Sequence, residues 1–140
     1  MNVVLRAGTA ADVPELLEFW AVAGENDGRP VDTPDATRRL LDRDPDALIV
    51  AEVDGRIVGT VIAGWDGWRA HLYRLAVHPE HQRRGIARLM LDAAEARLVA
   101  FGTGRLDAMV LDGNDLGAAA WRGRGFSRQD DWSRWVKPTG

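Results

Sequence analysis

Residues 47–65, ALIVAEVDGRIVGTVIAGW, constrain the fold more than any other stretch of the chain. Two aliphatic, β-branched runs, 47–53 and 56–65, flank the pair Asp54-Gly55. Asp-Gly suits the two-residue turn of a β-hairpin, because both central positions of that turn need positive φ. A second Asp-Gly pair, Asp66-Gly67, leads into RAHLYRLAV, residues 69–77. The spacing predicts three consecutive antiparallel strands.

Around this meander the signals change period. NVVLRAG (2–8) reads as a short strand. A helix follows, with Thr9 as N-cap, Pro14 early, and Leu16, Leu17, Phe19, Trp20 and Val22 at helical spacing before Gly24 stops it. Residues 24–34 are polar, rich in turn formers, and read as a loop. DATRRLLDRD (35–44) reads as a second helix capped by Asp35 and ended by Pro45. From Ile86 to about Phe101 an amphipathic helix is expected to bury Ile86, Leu89, Met90, Ala93, Ala94, Leu98 and Phe101, with Gly102 as its stop. Beyond it come a strand at 105–111, a short helix at 114–125 and a final strand or hairpin at 126–136. The order β-α-α-β-β-β-α-β-α-β describes an α+β sheet covered by helices. At 140 residues and 46% hydrophobic composition, a single domain over 1–140 with one core is expected.

The third strand runs into the long helix through HPEHQRRG, residues 78–85. Dipole logic favours negative residues at a helix start, yet here stand Arg83, Arg84 and a flexible Gly85. The unpaired N–H groups of the first turn, a glycine that lets a ligand approach, and two guanidinium groups at the rim together make an anion site. The loop lacks both the Gly-Lys-Ser/Thr of a nucleotide triphosphatase and the three glycines of a dinucleotide fold.

LAVHPEHQRRGIARLML resembles the acetyl-CoA loop of the GNAT superfamily of N-acetyltransferases. There Gln/Arg-x-x-Gly-x-Gly/Ala follows a strand ending in Val-x-Pro, and the present chain reads Gln82-Arg83-Arg84-Gly85-Ile86-Ala87. NDLGAAAWRGRGF is similar to the family's Asn, small-residue helix and Gly-Phe, at Asn114, Ala118, Gly125 and Phe126. The resemblance implies a mixed, mostly antiparallel sheet of about six or seven strands, covered by about four helices and splayed at a central acetyl-CoA site. It implies that the backbone of Leu75, Ala76 and Val77 pairs with the pantetheine arm as an added strand would. The amides from Gln82 through Arg83, Arg84, Gly85, Ile86 and Ala87 to Arg88 would cradle the pyrophosphate. Asn114 and Trp121 complete the implied cofactor set. The partners implied are acetyl-CoA, as acyl donor, and an amine acceptor.

Acetyl transfer to an amine needs a neutral amine, a donor for the developing oxyanion, and a proton for the departing thiolate. In relatives a backbone amide on the strand corresponding to 69–77 serves the oxyanion. Some relatives place a glutamate at the start of this strand, where His71 stands, and others on the next strand, which aligns with Met109. An imidazole can accept a proton near neutrality, so His71 is the first candidate base. Tyr73, two residues on, shares its face and is the second. The family's usual acid is a Tyr four residues before the Gly of Gly-Phe, and here that position is Trp121, whose indole is no acid near neutral pH. Trp65, Trp68, Trp132 and Trp135 are expected in the core, with acceptor-pocket walls as the alternative. In relatives the 24–34 loop lies over the acceptor, and Glu25, Asp27 and Asp32 would there favour a cationic amine. The departures at Met109 and Trp121 keep a second reading open, an acyl-CoA-binding module with little or no turnover.

A net charge of −3 and an isoelectric point near 5.6 argue against nucleic acid as the main partner, even with the His81-Gln82-Arg83-Arg84 patch. The chain has no cysteine, which removes disulfides, thiolate nucleophiles and Cys-ligated zinc, and no metal is expected. The first residues lack the pattern of a signal peptide and no apolar run approaches a membrane span, so a cytoplasmic location and no membrane partner are expected. The oligomeric state does not follow from the sequence, and a homodimer stays open.

Overall fold

The computed structural model describes residues 2–24 and 29–139. Five strands form one sheet whose spatial order follows the chain: β1 (Val4–Ala7), β2 (Leu48–Val53), β3 (Arg56–Trp65), β4 (Ala70–Val77) and β5 (Leu106–Ala108). The first four pair antiparallel, and β4–β5 is parallel. Asp54 (φ 51°) and Gly55 (φ 76°) make the expected turn between β2 and β3. The β2–β3 register shifts at Ala51/Glu52, and beside that irregularity the Ile57 N–H donates to the Glu15 carboxylate at 2.7 Å.

The described residues form four α-helices: α1 (Val13–Ala23), α2 (Pro34–Arg43) and α3 (Ile86–Ala100) in the part that carries the sheet, and α4 (Asp115–Arg122) beyond it. Thr9 precedes a 3₁₀ turn, Ala10–Asp12, before α1 proper begins. Asp12 closes this corner by accepting from the Thr9 N–H at 2.7 Å and from both terminal nitrogens of Arg6 at 2.7 and 2.8 Å. The cap of α2 is Thr33 and not Asp35: its hydroxyl oxygen accepts from the Ala36 N–H at 3.1 Å, and Pro34 follows.

Gly59 and Thr60 show how the layers divide. A Cβ on Gly59 would lie 2.8 Å from Met90 Cε of α3, whereas the hydroxyl of Thr60 bonds Trp20 of α1. Successive strand residues face opposite sides, so α1 and α3 cover opposite faces. On the α1 side Val13, Leu16, Phe19, Trp20 and Leu41 pack on Leu48, Val50, Ile57 and Ala76. On the other, α3 buries Ile86, Met90, Leu91, Ala94 and Leu98. Leu89 and Phe101, expected inside, are exposed, and Leu91 takes the buried place. Arg97 ties α3 to the sheet through the Ala63 carbonyl (3.2 Å) and an ion pair with Asp44.

The sheet has five strands among the described residues, not six or seven. The strand expected over 105–111 narrows to Leu106–Ala108, and residues 126–136 carry none. In that last stretch Arg128 is ion-paired locally, reaching Asp130 at 2.6 Å and Asp112 at 3.0 Å. The tryptophans expected in the core are mostly not there: Trp68, Trp132 and Trp135 are exposed, the last by 93%, and Trp65 stacks on exposed Phe101 at 5.2 Å. The chain divides into two compact units, Met1–Met109, which carries the whole sheet, and Val110–Gly140. No helix among the described residues is long and apolar enough to cross a membrane.

Candidate active site

Two features of the first unit converge at the end of β4. The first is an open edge. The parallel ladder with β5 pairs only Ala70, His71 and Leu72 with Leu106, Asp107 and Ala108, so Tyr73 to Val77 run on beyond it. The second is the start of α3. After a 3₁₀ turn at Pro79–His81, capped by His78 Nδ1 accepting from the Glu80 N–H at 3.2 Å, the chain passes Gln82 and Arg83 (φ 64°) to Gly85 (φ 79°, ψ 10°). Gly85 is the N-cap and offers no side chain, and the first turn of α3 holds no acid. The other three α-helices among the described residues each have a side-chain cap or an acid in the first turn, so of these four α3 alone has neither at its start.

The loop residues fit an anionic group. Arg83, Arg84 and Arg88 are exposed around this start, and Ile86 anchors it in the core. Gln82 braces the turn by donating to the Val77 carbonyl at 3.5 Å. His81 Nδ1 is buried and has no hydrogen-bond partner among the described residues. Residues Leu75, Ala76 and Val77 lie on the open stretch of β4.

Within this open stretch the β4 backbone is irregular. Thr60 pairs with Ala76 and Ile62 with Tyr73, so Arg74 and Leu75 together oppose Val61: a bulge of one extra residue. Arg74 sits there at φ 49°, left-handed backbone that costs a side-chain-bearing residue about 1–2 kcal/mol. Its guanidinium is buried, lies 5.5 Å from the Trp20 ring and is ion-paired with Asp32.

Residues paired across a ladder share a face. His71 (opposite Gly64), Tyr73 (opposite Ile62) and Ala76 (opposite Thr60) therefore lie on the α1 side, and the bulge adds Arg74 to them. The rings of His71 and Tyr73 are 5.9 Å apart, tilted by 36°, the first half-buried and the second exposed. Tyr73 lies against Gly64, where a Cβ would come within 3.2 Å of its ring. The structure thus brings the two candidate proton acceptors together. Met109 is exposed, just past the end of β5.

Glu25 and Asp27 lie outside the described residues. Asp32, the third carboxylate of that loop, is committed to Arg74. Trp65 and Trp68 line a cavity of about 320 Å³ with Arg69, Thr103 and Arg105, at the Ala70 end of β4, far along the strand from Gly85. In the second unit, Asn114 caps α4, its carboxamide oxygen accepting from the Gly117 N–H at 2.9 Å. Trp121 is buried and meets Phe126 edge-on at 4.9 Å. Sequence reasoning missed Trp20, Thr60 and Arg74. The one available signal was an arginine at a position where the burial rhythm of Ala70, Leu72 and Ala76 calls for an apolar residue.

The fold and site together are thus a mixed sheet that opens halfway along one strand, with a bare helix start following that strand's end. The chain belongs to the acetyltransferase (GNAT) family, whose profile matches residues 13–126. It is 38% identical over 127 residues to an acetyltransferase of Yersinia enterocolitica, covering 90% of this chain and 89% of that one. With an acetyltransferase of Yersinia pestis it shares 38% identity over 103 residues, 73% of each chain. In fold it is similar to the PaiA N-acetyltransferase of Thermoplasma acidophilum, solved in complex with coenzyme A, with a TM-score of 0.78, 19% identity, and coverage of 93% and 92%. Membership makes the chain an acetyltransferase with acetyl-CoA as acyl donor.

Proposed function

We propose that the protein moves an acetyl group from acetyl-CoA to a primary amine by direct attack in a ternary complex, and that residues 1–140 form a single N-acetyltransferase domain. The observation that carries this reading is the uncapped, acid-free start of α3 at Gly85, adjoining the open edge of β4, in a chain of this family. In the proposal the backbone of Leu75, Ala76 and Val77 holds the pantetheine arm and the amides from Gln82 to Arg88 hold the pyrophosphate. When bound, acetyl-CoA supplies an activated acyl thioester.

The chain's own task is then to deliver a neutral amine. His71 Nδ1 or Nε2 takes the acceptor's proton, directly or through a water, and Tyr73, whose ring is 5.9 Å away, is the second candidate. The acceptor amine approaches on the α1 side of β4, where these two side chains lie. Screening amines, polyamines, amino acids and peptides for release of the CoA thiol tests the reading. Release with at least one amine is expected; acetyl-CoA binding without release from any of them contradicts it. A second reading, a CoA-binding module without turnover, is favoured by Met109 and Trp121 standing where relatives carry a base and an acid, and that same null result would establish it.

A further inference from the structure

Arg74 is the strangest residue of the first unit: a cation with 7% of its side chain exposed, in left-handed backbone, inside a strand. Two restraints hold it. On the backbone side, Trp20 Nε1–H donates to Thr60 Oγ1 at 2.9 Å, and Thr60 Oγ1 donates to the Arg74 carbonyl at 2.8 Å. An indole N–H can only donate, so Thr60 must accept there and its single proton is left for Arg74. The direction of the relay is thereby fixed. On the side-chain side, the guanidinium is held by Asp32 and faces the same Trp20 ring that starts the relay. Thr60 is fully buried and Trp20 nearly so, so breaking the relay strands polar groups away from water.

We propose that Trp20, Thr60, Arg74 and Asp32 are positioning residues that lock the β4 bulge in the geometry acyl transfer requires, an inference that rests on the transferase reading above. A bulge re-phases everything beyond it, because side chains alternate with a period of two. Val77 pairs with Gly59, on the α3 side, and Tyr73 lies on the α1 side, a relation that holds only with the extra residue in place. Were Arg74 to relax into extended backbone, Leu75 to Val77 would turn relative to His71 and Tyr73, and the donor's edge would no longer be in register with the acceptor's face. None of the four needs to touch a reacting atom. Asp32 directly precedes Thr33, the cap of α2, so the ion pair also ties the start of α2 to β4.

Thr60→Val keeps the shape and removes both hydrogen bonds, and Thr60→Ser restores the hydroxyl. In the valine variant kcat should fall about 10- to 100-fold, the range expected for misplacement on the scale of an ångström. KM for acetyl-CoA should stay within about threefold, and the serine variant should return kcat to within about twofold of wild type. A threonine that merely filled space would not split kcat from KM or separate Ser from Val. The backbone amide resonances of Tyr73 to Ala76 and the Trp20 indole resonance provide a readout without turnover: they should move in Thr60→Val and return in Thr60→Ser. If wild type binds acetyl-CoA but acetylates nothing, the transferase reading fails while these resonances still decide whether the relay holds the bulge. Should Thr60→Val not fold, Trp20→Phe removes the indole donor and keeps a ring under Arg74, with the same expected split. Resonances of 73–76 that stay unmoved, a kcat within about twofold of wild type, or serine behaving like valine overturns the proposal.

Discussion

Replacing Gly85 by valine tests the anion site at its narrowest point. Gly85 holds φ 79° and ψ 10°, and a Cβ built there meets no atom within 4 Å. Crowding is therefore not the cost; the left-handed backbone is, at about 1–2 kcal/mol and at the upper end for a β-branched residue. At roughly 3 °C per kcal/mol for a chain of this size, the variant should unfold some 3–6 °C lower. Relief of that strain comes from turning the 82–85 segment, which moves the first N–H groups of α3. Free CoA at about 100 times its Kd stabilises wild type by about 2.7 kcal/mol, and a hundredfold loss of affinity would leave about 0.4 kcal/mol at the same concentration. Thermal unfolding with and without CoA should thus show a clear ligand shift in wild type and close to none in Gly85→Val. Gly85→Asn, which tolerates left-handed backbone, should keep most of it. A valine variant with the full CoA shift, or an asparagine variant as impaired as valine, would refute the reasoning.

Three further outcomes are expected. His71→Ala should lower kcat on the order of a hundredfold or more while leaving acetyl-CoA affinity nearly unchanged in titration calorimetry; a loss below about threefold moves the proton acceptor to Tyr73 or water. The Arg6 guanidinium bonded to Asp12 holds that carboxyl at about 2, below its ordinary 3.8, so the pair stabilises the fold above pH 3.8 and loses that contribution as pH falls towards 2. Asp12→Asn should accordingly cost about 1–2 kcal/mol in urea unfolding at pH 7 and almost nothing near pH 2. Trp121→Tyr, which puts a phenol at the family's acid position, should leave kcat level or raised in steady-state kinetics; a rise confined to the amine's KM would assign residue 121 to the acceptor pocket instead.

What could be read from the sequence was what local chemistry decides. Asp54-Gly55 makes its turn wherever two such strands meet, and Gly85 before Ile86 marks a helix start without reference to the rest of the chain. The bulge was hidden because burial continues unbroken at Ala70, Leu72, Arg74 and Ala76 while the covered face changes from the α3 side to the α1 side between Leu72 and Ala76. Only pairing reveals such a switch. Without that phase, Arg74 could not be placed beside Tyr73, nor Thr60 beneath its carbonyl. The 126–136 segment carries no strict alternation, with Trp132 and Trp135 three residues apart, and no strand forms there; Arg128 pairs with Asp112 and Asp130 within its own unit. In α3 the stripe was displaced by a fraction of a turn, so that Leu91 took the place given to Leu89.

The proposed activity is acetyl transfer to a primary amine. Its most direct test incubates the protein with acetyl-CoA and a mixed panel of primary amines, and follows acetylated amine by mass spectrometry together with free CoA thiol. An acetylated amine formed in equal amount with CoA, dependent on both substrates and on the protein, is the expected result. Acetyl-CoA binding by calorimetry with no acetylated amine from any member of the panel would contradict it.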